Sequence, residues 1–574
     1  TGSSSVIVGT ALVTVSDAAF STSSATITAT ALSNIGGKTT GAVTVTKAVK
    51  ITGATADLKN TLVSGSSLVI AGSALVTVSD AAFSTSNATI AATALSDIGG
   101  KTSGAVTVTK AVKIIGSSSD LTNTMVSSSS SVIAGSALVT VSDAAFTTSN
   151  ATIAATTLSD IGGKTTGAVT LQNKVRIQGS QSEVATALVG DSSVAASQGN
   201  TEARVTTAVN VNQGEEIAGV NNVQGIFAGG VSDSLSSLVS GGNTTAKLNT
   251  ITGDDGDVAI TVSDSAFTTS SATLTAADLT AVGGATTGTV TVTNAVAITG
   301  TAAEVTAALV TADTLVVVDD AAVTITGNPT ITELNNIAAK TTGVVTATLA
   351  ADSLSNLGAL TTAATDAITI TVNDGDTDAV TASDLSTLGG KTAGTVTVSN
   401  AVAITGNHDE LTAALVTAGT KVVVSDATVT VNDANTTAIT AAELSAIGGA
   451  TTGQVTVTNA VAITGSVAEV TAALVTADTL VVVDDAAVTV TGTPSIAELN
   501  AIAAKTTGVV TATLAANSLA NLGALTTAST DAITITVNDA DAAALTASDL
   551  STLGGKTAGT VTVTNAVAIT GNHD

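Results

Sequence analysis

The string ALVTVSDAAF begins at Ala11, returns at Ala74 and returns again at Ala137, so the first part of the chain repeats every 63 residues. GGKTTGAVTV at Gly36, GGKTSGAVTV at Gly99 and GGKTTGAVTL at Gly162 keep the same period. From Val258 onward the period becomes 165: TLVVVDDAAVT at Thr314 recurs at Thr479, and ASDLSTLGGKTAGTVTV at Ala382 recurs at Ala547. A chain that copies itself this way is read by its repeat and not by a count of ordinary domains, and the units of about 24 to 33 residues within the copies cannot close a core alone and must stack on their neighbours. Residues 1–170 form one array and residues 258–574 a second. Residues 171–257 match neither period and are expected to form an irregular junction or inserted element.

The longer period subdivides further. Strand-like starts at Val316, Val344, Ile368, Val396, Val422, Val455 and Val481 are spaced 28, 24, 28, 26, 33 and 26, which makes about six units per period. Each unit opens on β-branched alternation such as TVTVTNAVAITG, the period-two signal of a strand. A short helix follows. Thr301 with Glu304, Thr381 with Asp384, Thr440 with Glu443 and Ser495 with Glu498 have capping-box spacing at its entry. Leu385 and Leu388 then recur at helical spacing, and Gly389–Gly390 predicts a left-handed helix end. Lys38, Lys101, Lys164, Lys391 and Lys556 follow such pairs and suit the negative helix terminus, although Ala285 and Ala450 replace them in two copies.

Strand, turn, helix, turn, stacked in parallel, gives a repeat solenoid: a parallel β-strand ladder with short helices on another face. This is a β/α solenoid, leucine-rich-repeat-like or β-helix-like. About 20 rungs at roughly 4.8 Å each would make a rod on the order of 100 Å. Val, Ile and Ala would point inward and Thr and Ser outward. The repeat alignments put Thr1 just after a helix and Asp574 just before one, so the sequence reads as a section of a longer chain.

Composition narrows the function. Aromatic residues are 1% and charged residues 11%, with no Cys, Trp or Tyr, so the core is thin and aliphatic and the surface rich in hydroxyls. Residues 1–170 hold eight Lys against seven acids, whereas the remainder holds nine basic residues against 37 acids. An acidic chain without basic patches or stacking aromatics has no electrostatic basis for binding nucleic acid. No apolar run is long enough to span a membrane. The two histidines, His408 and His573, occupy one repeat position and offer no Ser, His, Asp arrangement. Asp319 and Asp320, or Asp484 and Asp485, follow a strand and read as solvated turns, and the Gly pairs lack phosphate-cradling spacing. Two arginines, Arg176 and Arg204, are too few for a hydrolase built on adjacent rungs. The chain is therefore expected not to be an enzyme.

Calcium is the one ligand the sequence suggests. Asp374, Asp376 and Asp378 in NDGDTD alternate as in a calcium loop, and Asp254, Asp255 and Asp257 in DDGD crowd a glycine turn. Ala379 stands where a helix-loop-helix calcium loop needs Gly, and Leu385 where it needs Glu. Phe20, Phe83, Phe146 and Phe267 share one place after SDAA or SDSA and read as one anchor per repeat. Phe227 in GIFAGG reads as a specialised contact.

VTVSDAAFSTSSATITATALSNIGGKTTGAVTV and TVTVTNAVAITGTAAEVTAALV resemble the β-strand repeats of very large secreted surface proteins of bacteria, notably cyanobacteria. The resemblance covers nearly all of the chain outside residues 171–257. It implies an extracellular surface-layer, adhesin or matrix component exported without a cleaved signal. The calcium-binding nonapeptide array GGxGxDxUx is absent here, so calcium-driven folding is not carried over. The expectation is a structural rod, filament or surface-layer element that self-associates. The alternative is an adhesin, a calcium-tuned module for glycan or mineral surfaces.

Overall fold

A computed structural model describes residues 9–66, 68–130, 132–149, 151–190, 194–199, 201–270, 273–420 and 422–573. Thr1 and Asp574 lie outside them. The chain forms two compact units. One comprises Thr1–Ser265, Ala277–Asn294 and Thr311–Val317, the other Ala266–Ala276, Ala295–Val310 and Val318–Asp574. Each is a β/α solenoid of short parallel ladders and short helices.

The rung differs from the expected one. TVTVTNAVAITG is not one strand but two, and so is its relative TVTVSNAVAITG, with strands Val396–Val398 and Ala403–Gly406 and a corner at Asn400 between them. Through most of each unit a strand therefore pairs with the next but one in sequence. In the first unit Val13–Val15, Val43–Val45 and Val69–Ile70 make one ladder. Thr26–Thr28, Lys50–Gly53, Leu75–Val78, Val106–Val108 and Val132–Ile133 make a second.

No ladder runs through a whole unit. The third ladder, Thr89–Ala91 through Val194–Ala196, opens before the second ends, and a fourth, Thr152–Ala154 through Val223–Phe227, opens before the third ends. Each 63-residue copy thus starts a new ladder beside the old one. The second unit does the same. Val422 lies in the last strand of one ladder, whereas Val455 pairs with Val429 in the next, so the 33-residue step in the sequence is a hand-over.

Residues 171–257 are irregular in sequence but continue this plan. Arg176–Gly179, Thr201–Val205 and Val223–Phe227 pair in parallel, with helices Gln181–Leu188, Val211–Ala218 and Ala246–Asp254 between or after them. The departure is a small antiparallel hairpin, Val239–Ser240 with Asn243–Thr244.

The core is the inward column of each ladder plus one helix stripe. In Val396–Val398 both valines are buried and Thr397 is half-buried, as period-two patterning requires. Helix Ala382–Gly389 packs on strand Ala403–Gly406 and buries Leu385 and Leu388. Thr301, Thr440 and Ser495 close complete capping boxes. The shorter Asp384 reaches the Thr381 hydroxyl at 2.7 Å while Thr381 accepts from the Asp384 amide at 3.0 Å. The glycine pair acts differently from the left-handed end expected of it. Gly390 is right-handed at φ −70, and Gly389 is required because a Cβ there would lie 2.1 Å from the Thr420 carbonyl oxygen.

Polar repeat residues tie rung to rung. The Thr of GGKTxG, or of GGATTG where Ala replaces the Lys, donates to a carbonyl of the preceding rung and accepts from the glycine two residues on. Examples are Thr451 to Ala427 O at 2.7 Å and Gly453 N to Thr451 at 3.0 Å, or Thr286 to Val258 O at 2.7 Å and Gly288 N to Thr286 at 2.9 Å. Thr392, 5% exposed, also accepts from Ile368 N at 2.8 Å. Thr392→Val would strand the amides of Ile368 and Gly394 and is expected to cost about 2 kcal/mol in urea unfolding. An unchanged midpoint would remove the latch role.

The Asp of VSD or VND is a second latch. It accepts from the first amide of the preceding rung's helix: Thr55 N to Asp80 at 2.7 Å, Ser118 N to Asp143 at 2.6 Å, His408 N to Asp433 at 2.7 Å. Its own carbonyl then accepts from the Asn of the following corner, as in Asn400 to Asp374 O and Asn459 to Asp433 O, both 2.6 Å. One aspartate thereby joins three successive rungs, and its charge suits the positive helix end.

Candidate functional site

A concavity that recurs with the 165-residue period lies in the second unit. Helix Leu354–Leu357 has four residues where Ala382–Gly389 has eight, and the missing turn leaves a cleft of about 380 Å³ between them. Its copy, between Leu519–Leu522 and Ala547–Gly554, holds about 490 Å³. Every lining position has its counterpart, and only Ser355 and Val380 change, to Ala520 and Leu545. Leu354, Val380 and Leu388 supply apolar lining, and Asp374, Asp384 and Lys391 supply charge.

Those charges are already engaged. Asp374 accepts from Leu354 N at 2.7 Å, and Asp384 from the Thr381 hydroxyl at 2.7 Å. Lys391 Nζ donates to Gly358 O at 2.7 Å, and Lys556 to Gly523 O at 2.6 Å. The lysine after a glycine pair does serve a helix end there, but that of the preceding rung rather than its own. The Thr381 hydroxyl and Asp384 carboxylate in the lining are the capping pair of helix Ala382–Gly389.

Five of the six suggested calcium ligands accept from backbone amides, and Asp257 lies within hydrogen-bond reach of Asp255. Asp374 is the latch just described. Asp376 accepts from Ala401 N at 3.1 Å and Asp378 from Gly375 N at 2.7 Å, so the three carboxylates serve three separate amides. Asp254 accepts from Gly225 N at 2.8 Å and Asp255 from Phe227 N at 2.6 Å. Strand Val223–Phe227 ends its ladder, and these two side chains satisfy alternate amides along its outer edge, where another strand would otherwise pair. Burial raises the Asp254 carboxyl above its ordinary range against the pull of the Gly225 amide. Burial likewise raises Asp255, which the Phe227 amide opposes and Asp257 reinforces. Among the described residues no group of three or more His, Cys, Asp or Glu is placed to hold a metal ion.

Two readings of aromatic residues are corrected. Phe227 is 2% exposed and packs inside its rung, so it is core and not a surface contact. Phe20, Phe83 and Phe146 are only half-buried, and Phe267 is 42% exposed, because each begins a four-residue turn on the outside of its ladder. Asp319, Asp320, Asp484 and Asp485 sit exposed in turns. His573 is exposed. His408 is held by Asp433, Nδ1 to Oδ1 2.7 Å, with Asp409 at 3.4 Å from Nε2. Burial lowers the His408 pKa, but the hydrogen bond and charge of Asp433, with Asp409 and Glu443, outweigh it and leave it raised.

Sequence reasoning missed the cleft, although SLSNLG at Ser353 and SLANLG at Ser518 signal a helix stopped by glycine after four residues. No protein-family model and no curated protein matches the chain. One solved structure, the crystal structure of PEPR1-AtPEP1, is similar over 92% of this chain and 73% of that chain, at 10% identity and TM-score 0.17, too loose to carry an argument. No helix among the described residues is long and apolar enough to cross a membrane.

Proposed function

We propose that the chain is an extracellular structural repeat protein, an element of a filament or surface layer that associates with its own kind. The supporting observation is where the repeated polar residues go. The Thr of GGKTxG and GGATTG, the Asp of VSD and VND and the Asn of TNAV are spent on bonds between rungs, and the cleft beside helix Leu354–Leu357 has its charged rim satisfied from within. Repetition here serves length and cohesion.

Electron microscopy of the native protein released from its source cells, with calcium and after chelation, tests this. Continuous filaments or a lattice that survive chelation are expected. Separate particles, or assemblies lost on chelation, would favour the calcium-tuned adhesin, and retention of the protein inside the cell would overturn both.

A further inference from the structure

In the first unit the half-buried rings of Phe20, Phe83 and Phe146 each lie under a cation carried by a strand of the same repeat. Lys50 Nζ is 4.7 Å from the Phe20 centroid, Lys113 Nζ 5.1 Å from Phe83, and the Arg176 guanidinium carbon 5.1 Å from Phe146. The placement is built by the backbone. Phe20 N donates to Ala48 O and Phe83 N to Ala111 O, both 2.9 Å, which docks each ring beside the strand two residues further on. Phe267 makes the same bond to Ala295 O, yet Ala297 stands where the earlier repeats carry the cation. Among the described residues neither Lys50 nor Lys113 has an ion-pair partner, whereas Arg176 is held by Glu202 at 2.7 Å.

Around Phe83 this station opens into a groove of about 390 Å³ whose lining includes Phe83, Lys113, Ile115, Thr140, Gln172 and Ser197. Thr140 is 6% exposed, and Gln172 and Ser197 are exposed. The Ser197 hydroxyl donates to Leu171 O, which leaves its lone pairs to accept. The groove thus combines an aromatic ring, a lysine ammonium without a carboxylate, and amide and hydroxyl groups.

We propose that this groove binds an acidic sugar and that the Phe–cation stations of successive repeats together bind an acidic polysaccharide. A pyranose offers an apolar C–H face for the ring, a carboxylate for the ammonium, and hydroxyls for Gln172 and Ser197. The location fits the charge. Residues 1–170 carry eight Lys against seven acids and do not repel a polyanion, unlike the remainder of the chain. Stations spaced by the repeat turn one weak contact into an avid one, because the second sugar binds at the effective concentration set by the first. Arg176, shared with Glu202, makes the third station weaker. None of this depends on the filament reading.

Affinity electrophoresis of the full chain through gels containing polygalacturonate, with dextran as the neutral control, tests the proposal. Retardation by polygalacturonate and not by dextran is expected, weakening with salt. The double variant Lys50→Ala/Lys113→Ala is expected to bind at least about tenfold more weakly, about 1.4 kcal/mol, with an unchanged circular dichroism spectrum. Phe83→Leu, which keeps an apolar residue in the turn, is expected to weaken binding with both lysines present. Absence of retardation, equal retardation by dextran, or undiminished binding by the double variant would overturn the proposal. So would a double variant altered only in self-association by light scattering, which would assign the lysines to acidic residues of a second copy.

Discussion

Gly453→Ala is expected to be among the most damaging single-methyl additions available to the second unit. A Cβ at Gly453 would lie 2.2 Å from Ala427 O and 2.6 Å from Asp426 O, both backbone atoms. Neither gives way easily, because Ala427 O accepts the Thr451 hydroxyl and Gly453 N donates back to that same hydroxyl. Ordinary overpacking costs about 1–3 kcal/mol. Crowding against a pinned backbone should exceed that, at about 4 kcal/mol, in the range kept for disrupted interiors. In a solenoid the damage stays with the rung and its neighbours. Hydrogen exchange should therefore lose protection around Thr428–Val431 and Val455–Val457 while Val43–Val45 is unchanged. Uniform protection equal to that of the parent chain would show that the rungs are not pinned in this way.

Asp433→Ala should cost about as much, about 4 kcal/mol, because it strips one partner from a buried charged pair. Asp433 is 6% exposed and accepts both His408 N and His408 Nδ1 at 2.7 Å. Without it the first amide of helix His408–Leu415 and the imidazole both lose their partner. The same pair sets a pH dependence whose sign follows from the raised His408 pKa. The stabilisation is fully present below the ordinary histidine value of 6.5 and is lost as pH rises through the raised folded value. The capping-box glutamates run the other way. Their backbone and hydroxyl hydrogen bonds hold Glu304, Glu469 and Glu498 below 4.5, so their contribution is present above that value and lost as pH falls through the lowered one. The two windows do not overlap. Urea midpoints measured from pH 6 to pH 9, a range set by ordinary histidine titration, should fall in the parent chain and stay level in His408→Gln. A parallel fall in both would assign the slope to other groups.

The solenoid, its parallel ladders and its capped helices are legible because period-two and helical spacing leave marks in every copy. TVTVS and AVAITG carry the same alternation on either side of Asn400, so sequence alone merges them into one strand. What divides them is a corner whose Asn side chain bonds a carbonyl of the preceding rung, and a partner so far away in sequence leaves no local pattern. The aspartates have a use that the sequence hides for a related reason. NDGDTD is spaced for a cation, but Leu354 N, Ala401 N and Gly375 N claim its carboxylates one at a time, and two of those amides come from other rungs. Phe83 looked like an anchor because apolar residues at a fixed repeat position usually are. Only the outward placement of its four-residue turn leaves the ring within reach of Lys113.

The hand-over of ladders also governs how such a gene can grow. Each 63-residue copy opens one ladder and supplies later strands to ladders opened before it, so the smallest insertion that restores every pairing is a whole copy. Duplicating one rung would leave a strand facing the wrong partner and a latch aspartate without its helix. Recombination between near-identical copies supplies whole repeats in register, so the exchange most available to a repetitive gene is also the one this architecture tolerates.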